Sequence, residues 1–589
     1  MESTRLFDLL ETHVSHRPHQ SFLSAKVNQQ WKNYSFAQVQ DMANRVSHYL
    51  LHLGLKKEDK IAIISNNCPE WNFVDLGALQ IGLIDVPMYP NISEKDYDFI
   101  FRDAGIQYAF VENEEIFSNV KPLLGNVPTL KAIYSFKEVE GINSLEKILN
   151  LEPDMTAIET HKADVSGNDI ATIIYTSGTT GNPKGVMLTH ENLLSNVSGV
   201  KSVISFEAGK RTLSFLPLCH SFERMVFYTY LSFGMHIHYA ENLDSIGENL
   251  KEIKPFCFTT VPRLLEKVYE KIMAKGAELK GFKKKIFDWS ITLGLAYQVG
   301  RNKNIFYRIK LSIARKLVFS KWQEALGGEL KFIVTGAAAM QPRLITLFTA
   351  AGIQVIEGYG LTETSPVLTV NRMEERLRCI GTVGMPLPGV EIKMAEDGEI
   401  LARGKNVMRG YYNRPDLTAE VIDNAGWFYT GDIGKWVEWN GEKFLQITDR
   451  KKELFKTAGG KYVAPQAIEN KMKESRFIEQ IVVVGGDDKK FVSALIVPSF
   501  VLLEEWANNN QLQISSTNDL INHNKTYQLI HEEIDKLNHD FGHWEQIKKF
   551  TILQEEWSVD SGELTPTMKP KRKIIYTRYA SIIEKMYRE

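Results

Sequence analysis

At 589 residues the chain exceeds the roughly 250–300 at which a single hydrophobic core stops growing, so more than one domain is expected. Hydrophobic residues at 43% and charged residues at 24% exclude wholesale disorder, and a formal net charge of −2 excludes a globally basic nucleic-acid binder. The four cysteines, Cys68, Cys219, Cys257 and Cys379, are scattered, which argues against a disulfide scaffold or a paired-cysteine zinc site and makes a reducing cytoplasm the expected compartment.

In chain order, the opening MESTRLFDLLETH mixes acids with bases and lacks the basic flank and apolar run of a signal peptide. Helical spacing follows over 35–53, then short β-branched runs at 61–65, 109–111 and 170–175 predict buried strands. A helix is expected over 191–200 and further strands at 213–216, 256–260 and 332–334. This alternation predicts an α/β fold with mostly parallel sheets covered by helices. The best candidate membrane span, 225–240, carries Gly234, His236 and His238 and is shorter than the roughly 18–20 apolar residues a spanning helix needs, so no span is expected. From about 385 to 449, DG and NG pairs between apolar runs predict a small antiparallel, barrel-like subdomain. Beyond Arg450, strands at 481–484 and 492–496 lie among helical segments. The expected division is therefore 1–449 as a large N-terminal domain and 450–589 as a compact C-terminal α+β domain.

One region breaks the charge balance. Residues 263–321 hold 15 Lys and Arg against 4 Asp and Glu, and Ile305, Ile309, Ile313 and Leu317 recur at four-residue intervals as a helical stripe. Two readings stand: a solvated surface helix packing on the core, or a face that contacts anionic lipid headgroups. Nucleic acid is disfavoured because no recognition motif accompanies the charge.

The chemistry is concentrated in TSGTTGNPKG at 176–185, directly after a predicted strand. Backbone amides and the hydroxyls of Thr176, Ser177, Thr179 and Thr180 can surround phosphate oxygens. Gly178, Gly181 and Gly185 allow close approach, and Lys184 supplies charge. It is not a Walker A loop, because Pro183 precedes the lysine and no Ser or Thr follows it. Three further motifs come in order: EGYGLTET at 357–364, YTGD at 429–432 and DRKKELFK at 449–456.

Together these resemble the acyl-adenylate-forming superfamily, which includes acyl-CoA synthetases, peptide-synthetase adenylation domains and luciferases, and the likeness runs over essentially the whole chain. The resemblance implies a nucleotide site built from the 176–185 loop, from Gly336 and Ala337 in TGAAAM, and from Glu357, Gly358, Tyr359, Gly360 and Thr362, with Tyr359 stacking on adenine. It implies that Glu363 and Thr176 share Mg2+, that Asp432 binds the ribose hydroxyls and that Arg450 contacts the nucleotide. Lys452 corresponds to the hinge about which a mobile C-terminal lid rotates, and Gly459 and Gly460 to the channel for coenzyme A. The catalytic lysine is expected in LTPTMKPKRK at 564–573. Lys569 matches it, although Met568 stands where many members have glycine, and Lys571 is the alternative.

LPLCHSFER at 216–224 resembles the long-chain branch. His220, placed at a strand end, is expected near the substrate carboxylate as a neutral hydrogen-bond donor. The implied activity joins a long-chain fatty acid to coenzyme A with ATP, forming AMP and pyrophosphate. Transfer to an acyl carrier protein is the nearest alternative, and a non-catalytic lipid-binding protein is the alternative from another class. The compartment implied is cytoplasmic, with peripheral contact at the inner membrane face through 263–321.

Overall fold

The computed structural model describes residues 3–176, 182–300, 304–457, 461–559, 561–565 and 568–588. Two large sheets form the body. In the eight-stranded sheet, Ile84–Met88 lies between Lys60–Ile64 and Ile170–Thr176 in parallel register, and Lys184–Thr189 returns antiparallel along Ile170–Thr176. The nine-stranded sheet has a parallel centre, from His236–Tyr239 through Arg211–Ser214, Cys257–Thr260 and Phe332–Thr335 to Gln354–Gly360. These strands are short, β-branched and buried on both faces, as parallel strands covered by helices must be.

The two sheets are joined through the helix Ser221–Phe233. Its Arg224 is fully buried and donates to Asp75 and Asp85, each at 2.5 Å, and to Thr172 at 2.7 Å. Asp85 and Thr172 belong to the eight-stranded sheet, whereas Glu223 accepts from Ser214 and Thr259 of the nine-stranded sheet. Residues 225–240, weighed as a span, are instead the rest of this core helix, a left-handed Gly234 stop and the strand His236–Tyr239. No helix among the described residues is long and apolar enough to cross a membrane.

Residues 390–450 form a four-stranded antiparallel sheet in the order Val390–Met394, Glu399–Gly404, Phe428–Trp439, Glu442–Arg450. Beyond it, Ile478–Val484, Val492–Pro498 and Ile547–Ile552 make a three-stranded sheet flanked by helices.

The basic segment packs on the core, but not through its four-residue stripe. Along the helix Ile305–Ala314 and the π-turn Arg315–Phe319, the buried side chains are Leu311, Ala314, Val318 and Phe319, while Ile305, Ile309, Ile313 and Leu317 face solvent. A helix buries only one of its faces, and here the better-spaced apolar stripe is on the other one. Part of the basic surplus is also internal. Arg263 pairs with Glu479 and, at 2.9 Å, with Glu556, and Lys284 pairs with Glu505 at 3.0 Å, all three carboxylates lying beyond residue 450.

Candidate active site

A cavity of about 1890 Å³ lies where the loops following several strands meet the C-terminal segment. On one side the hairpin of Ile170–Thr176 and Lys184–Thr189 sets Thr176 opposite Lys184, and both line the cavity. Ser177, Gly178, Thr179, Thr180 and Gly181, which join them, lie outside the described residues. The short strand Gly410–Tyr411 pairs with Lys184–Thr189 and delivers Tyr411. The Lys184 ammonium is 5.1 Å from the Tyr411 ring centroid, and the Tyr411 hydroxyl donates to Glu363 Oε1 at 2.9 Å. Burial, with the Glu363 charge beside it, pushes the Tyr411 phenol well above its ordinary value, so it stays a donor. Tyr411 was missed in the sequence because an aromatic after Gly410 has no distinguishing spacing; only its pairing partner identifies it.

The strand Gln354–Gly360 brings Glu357, Gly358, Tyr359 and Gly360 to the cavity, and the turn Thr362–Thr364 follows. Gly360 is required here because a Cβ would fall 1.8 Å from the Pro366 carbonyl oxygen. Burial raises the Glu357 carboxyl to about 8, and Glu357 Oε1 accepts the Met340 N–H at 3.0 Å. That bond fastens the small-residue segment containing Gly336 and Ala337, which also line the cavity. Thr362 shares a hydrogen bond with Ser221 at 3.1 Å. Glu363 is half-buried inside a 3₁₀ turn.

Opposite these, Asp432 and Arg450 face each other across neighbouring strands, with Asp432 Oδ1 3.5 Å from Arg450 Nε. The Tyr359 hydroxyl donates to Asp432 Oδ2 at 2.6 Å. The half-buried Lys569 enters the same space. Burial, followed by the Arg450 charge, lowers its ammonium to about 8 against the opposing pull of Asp432 and Glu453. Its backbone N–H donates to Thr565 Oγ1 at 3.0 Å.

Met568 has φ 61°, in the left-handed region that favours glycine, which gives a backbone reason for the glycine found there in many members. Arg572, not singled out in the sequence, ties the following helix to Glu453 at 2.9 Å and Glu469 at 2.7 Å, and so positions the lysine loop. Lys571 and Lys452 also line the cavity, Lys452 from an exposed turn, whereas Gly459 and Gly460 lie outside the described residues.

Contrary to the sequence expectation, His220 does not end a strand. The strand is Arg211–Ser214, and His220 caps the helix Ser221–Phe233, its Nδ1 accepting the Phe222 N–H at 3.2 Å. Burial and then Lys569 lower its imidazole to about 4, so it is neutral at pH 7 with the proton on Nε2. Apolar side chains line another part of the cavity: Val200 on the helix His190–Lys201, Ile204 just beyond that helix, and Met225 and Val226 on the helix Ser221–Phe233.

Comparison with known proteins agrees with this geometry. The model of the AMP-binding enzyme family matches residues 10–412, and that of the AMP-binding enzyme C-terminal domain matches 453–589. The chain is 33% identical to long-chain-fatty-acid–CoA ligase FadD15 of Mycobacterium bovis over 95% of its own length and 92% of that protein's. It is 32% identical to human long-chain-fatty-acid–CoA ligase 1 over 96% and 84%. Among solved structures, an anthranilate CoA ligase, AuaEII, bound to anthranoyl-AMP superposes with a TM-score of 0.74 at 19% identity, covering 98% of both chains. A Mycobacterium tuberculosis fatty acyl CoA synthetase gives 0.66 at 21% identity over 98% of this chain and 99% of that one. The chain belongs to the AMP-binding enzyme family, within the acyl-adenylate-forming superfamily and close to the long-chain acyl-CoA synthetases.

Proposed function

We propose that this chain is an AMP-forming long-chain fatty acid–CoA ligase. The observation that carries the reading is the convergence on one cavity of Lys569 from the C-terminal segment with Asp432, Arg450 and the neutral His220. In the first step a carboxylate oxygen of the fatty acid attacks the α-phosphorus of ATP, forming a C–O–P anhydride and releasing pyrophosphate. The Lys569 ammonium draws carboxylate and α-phosphate together, so two anions meet without repulsion. His220 donates from Nε2 to an acyl oxygen, and Asp432, steadied by Tyr359, accepts from the ribose hydroxyls. In the second step the CoA thiolate attacks the acyl carbon, the C–O bond to AMP breaks and AMP leaves.

The residues present fit Mg2+. Glu363 offers a hard carboxylate oxygen, Oε2, beside the Oε1 that Tyr411 occupies, and Thr176 adds a hydroxyl, the sparse oxygen set this ion uses when phosphates complete its shell. When bound, Mg2+ neutralises charge on the phosphate oxygens.

Residues 450–589 would be the mobile lid, turning at Lys452 between the two steps, with Gly459 and Gly460 admitting the pantetheine arm. The apolar side chains around Val226 would hold the acyl chain. Because long-chain acids partition into bilayers, the enzyme would meet its substrate at a membrane.

A panel of fatty acids of increasing length tests this, with AMP and pyrophosphate measured with and without CoA. The expected result is pyrophosphate release that follows chain length and CoA-dependent AMP formation. Release of inorganic phosphate, or turnover only with an acyl carrier protein, contradicts it.

A further inference from the structure

We infer that the helix Ile305–Ala314 and the turn Arg315–Phe319 form a ridge by which the protein docks on anionic phospholipid bilayers. Ile305, Phe306, Ile309, Ile313 and Leu317 are 46–72% exposed, although helix residues Leu311 and Ala314 on the opposite face are buried. Eight of the nineteen large apolar side chains exposed among the described residues fall between Phe282 and Leu317, so the exposure is concentrated and is not the scatter normal for a protein surface. The neighbouring helix Gly281–Leu295 contributes exposed Phe282 and Leu295, and Tyr307 fastens the ridge to it through the Leu293 carbonyl at 2.8 Å. The apolar ridge is therefore held on a fixed support.

Charge identifies the partner. From Ile305 to Lys321 there are five basic residues and no acidic one. Arg308, Lys310, Lys316 and Lys321 are exposed, and among the described residues no carboxylate forms an ion pair with any of them. A self-association surface gains nothing from facing like charges, whereas anionic headgroups match cations that flank an apolar ridge, the arrangement of an interfacial helix. Lys284 is not part of this surface, because it pairs with Asp288 and Glu505. The identity of the surface as a fatty-acid source rests on the long-chain reading, but its affinity for vesicles does not.

The test is sedimentation of the full chain with phosphatidylcholine vesicles, with or without phosphatidylglycerol, across a salt series. The parent should bind only the anionic vesicles, and binding should weaken as the screening length falls from about 10 Å at 0.1 M to about 3 Å at 1 M salt. Ile309→Ser with Ile313→Ser and Leu317→Ser should lower partitioning by roughly tenfold per residue. Arg308→Glu with Lys310→Glu and Lys316→Glu should lower it by at least about fivefold per residue. Both variants should keep the parent's CoA-dependent AMP release from detergent-dispersed fatty acid. A parent that does not bind, variants that sediment like the parent, or a salt-stable dimer lost in the apolar variant overturns the proposal. A parent that binds vesicles yet releases no AMP refutes the long-chain ligase reading and leaves the docking surface standing.

Discussion

The aspartates around Arg224 and the aspartate beside Arg450 sit in contrasting surroundings, and the differences separate architecture from chemistry. Around Arg224, Asp75 and Asp85 are fully buried, and Tyr228 and Thr172 complete the hydrogen bonding, so no ligand has access. Around Arg450, Asp432 stands 3.5 Å away, the arginine side chain is 44% exposed, and Lys569 is held nearby with its ammonium lowered to about 8. The first cluster joins two sheets. The second faces a cavity with charge its own groups leave incompletely balanced, where an anionic ligand completes the set.

The comparison breaks most sharply at Arg224. Arg224→Ala leaves two buried carboxylates without their cation, a loss of about 3–5 kcal/mol. The expected outcome is a much lower melting temperature and little folded protein, whereas Arg450→Ala should melt close to the parent and lose nucleotide affinity. Equal melting temperatures for the two variants would erase the distinction.

A second expectation concerns pH. Lys569 is protonated below about 8 and loses its charge as pH rises through that value, while His220, at about 4, is neutral throughout the working range. Adenylation should therefore fall by about tenfold per unit well above pH 8. In Lys569→Arg, however slow, that alkaline limb should disappear, because arginine keeps its proton. An unchanged limb would assign the titration to another group.

The smallest effect concerns Met568. Its left-handed backbone costs about 1–2 kcal/mol, and glycine would return about 0.5–1 kcal/mol of that as chain entropy. Met568→Gly should therefore stabilise the C-terminal segment by at most about 1.5 kcal/mol, read as a slight rise in melting temperature with adenylation retained. A fall in stability would mean that the Met568 side chain contributes more packing than its backbone loses.

Much of this was legible in the sequence because it depended on local pattern. The strands expected at 61–65, 170–175 and 332–334 are Lys60–Ile64, Ile170–Thr176 and Phe332–Thr335, since short β-branched runs between helices have few other places to go. What escaped was set by distant partners. Tyr411 reaches Glu363 only through pairing with Lys184–Thr189, and Arg572 acts through Glu453 and Glu469, more than a hundred residues away. The 305–317 stripe had the correct period, but period does not say which face of a helix meets the core.

The central claim, that Lys569 serves the first chemical step, is tested most directly by timing the two half-reactions separately in single turnovers. In Lys569→Ala, pyrophosphate release from ATP and fatty acid should fall by about 10²–10³, the cost of removing one positioned charge donor. Acyl-CoA formation from supplied acyl-adenylate should stay near the parent rate. Equal losses in both steps, or an unaffected Lys569→Ala beside an inactive Lys571→Ala, would contradict the assignment.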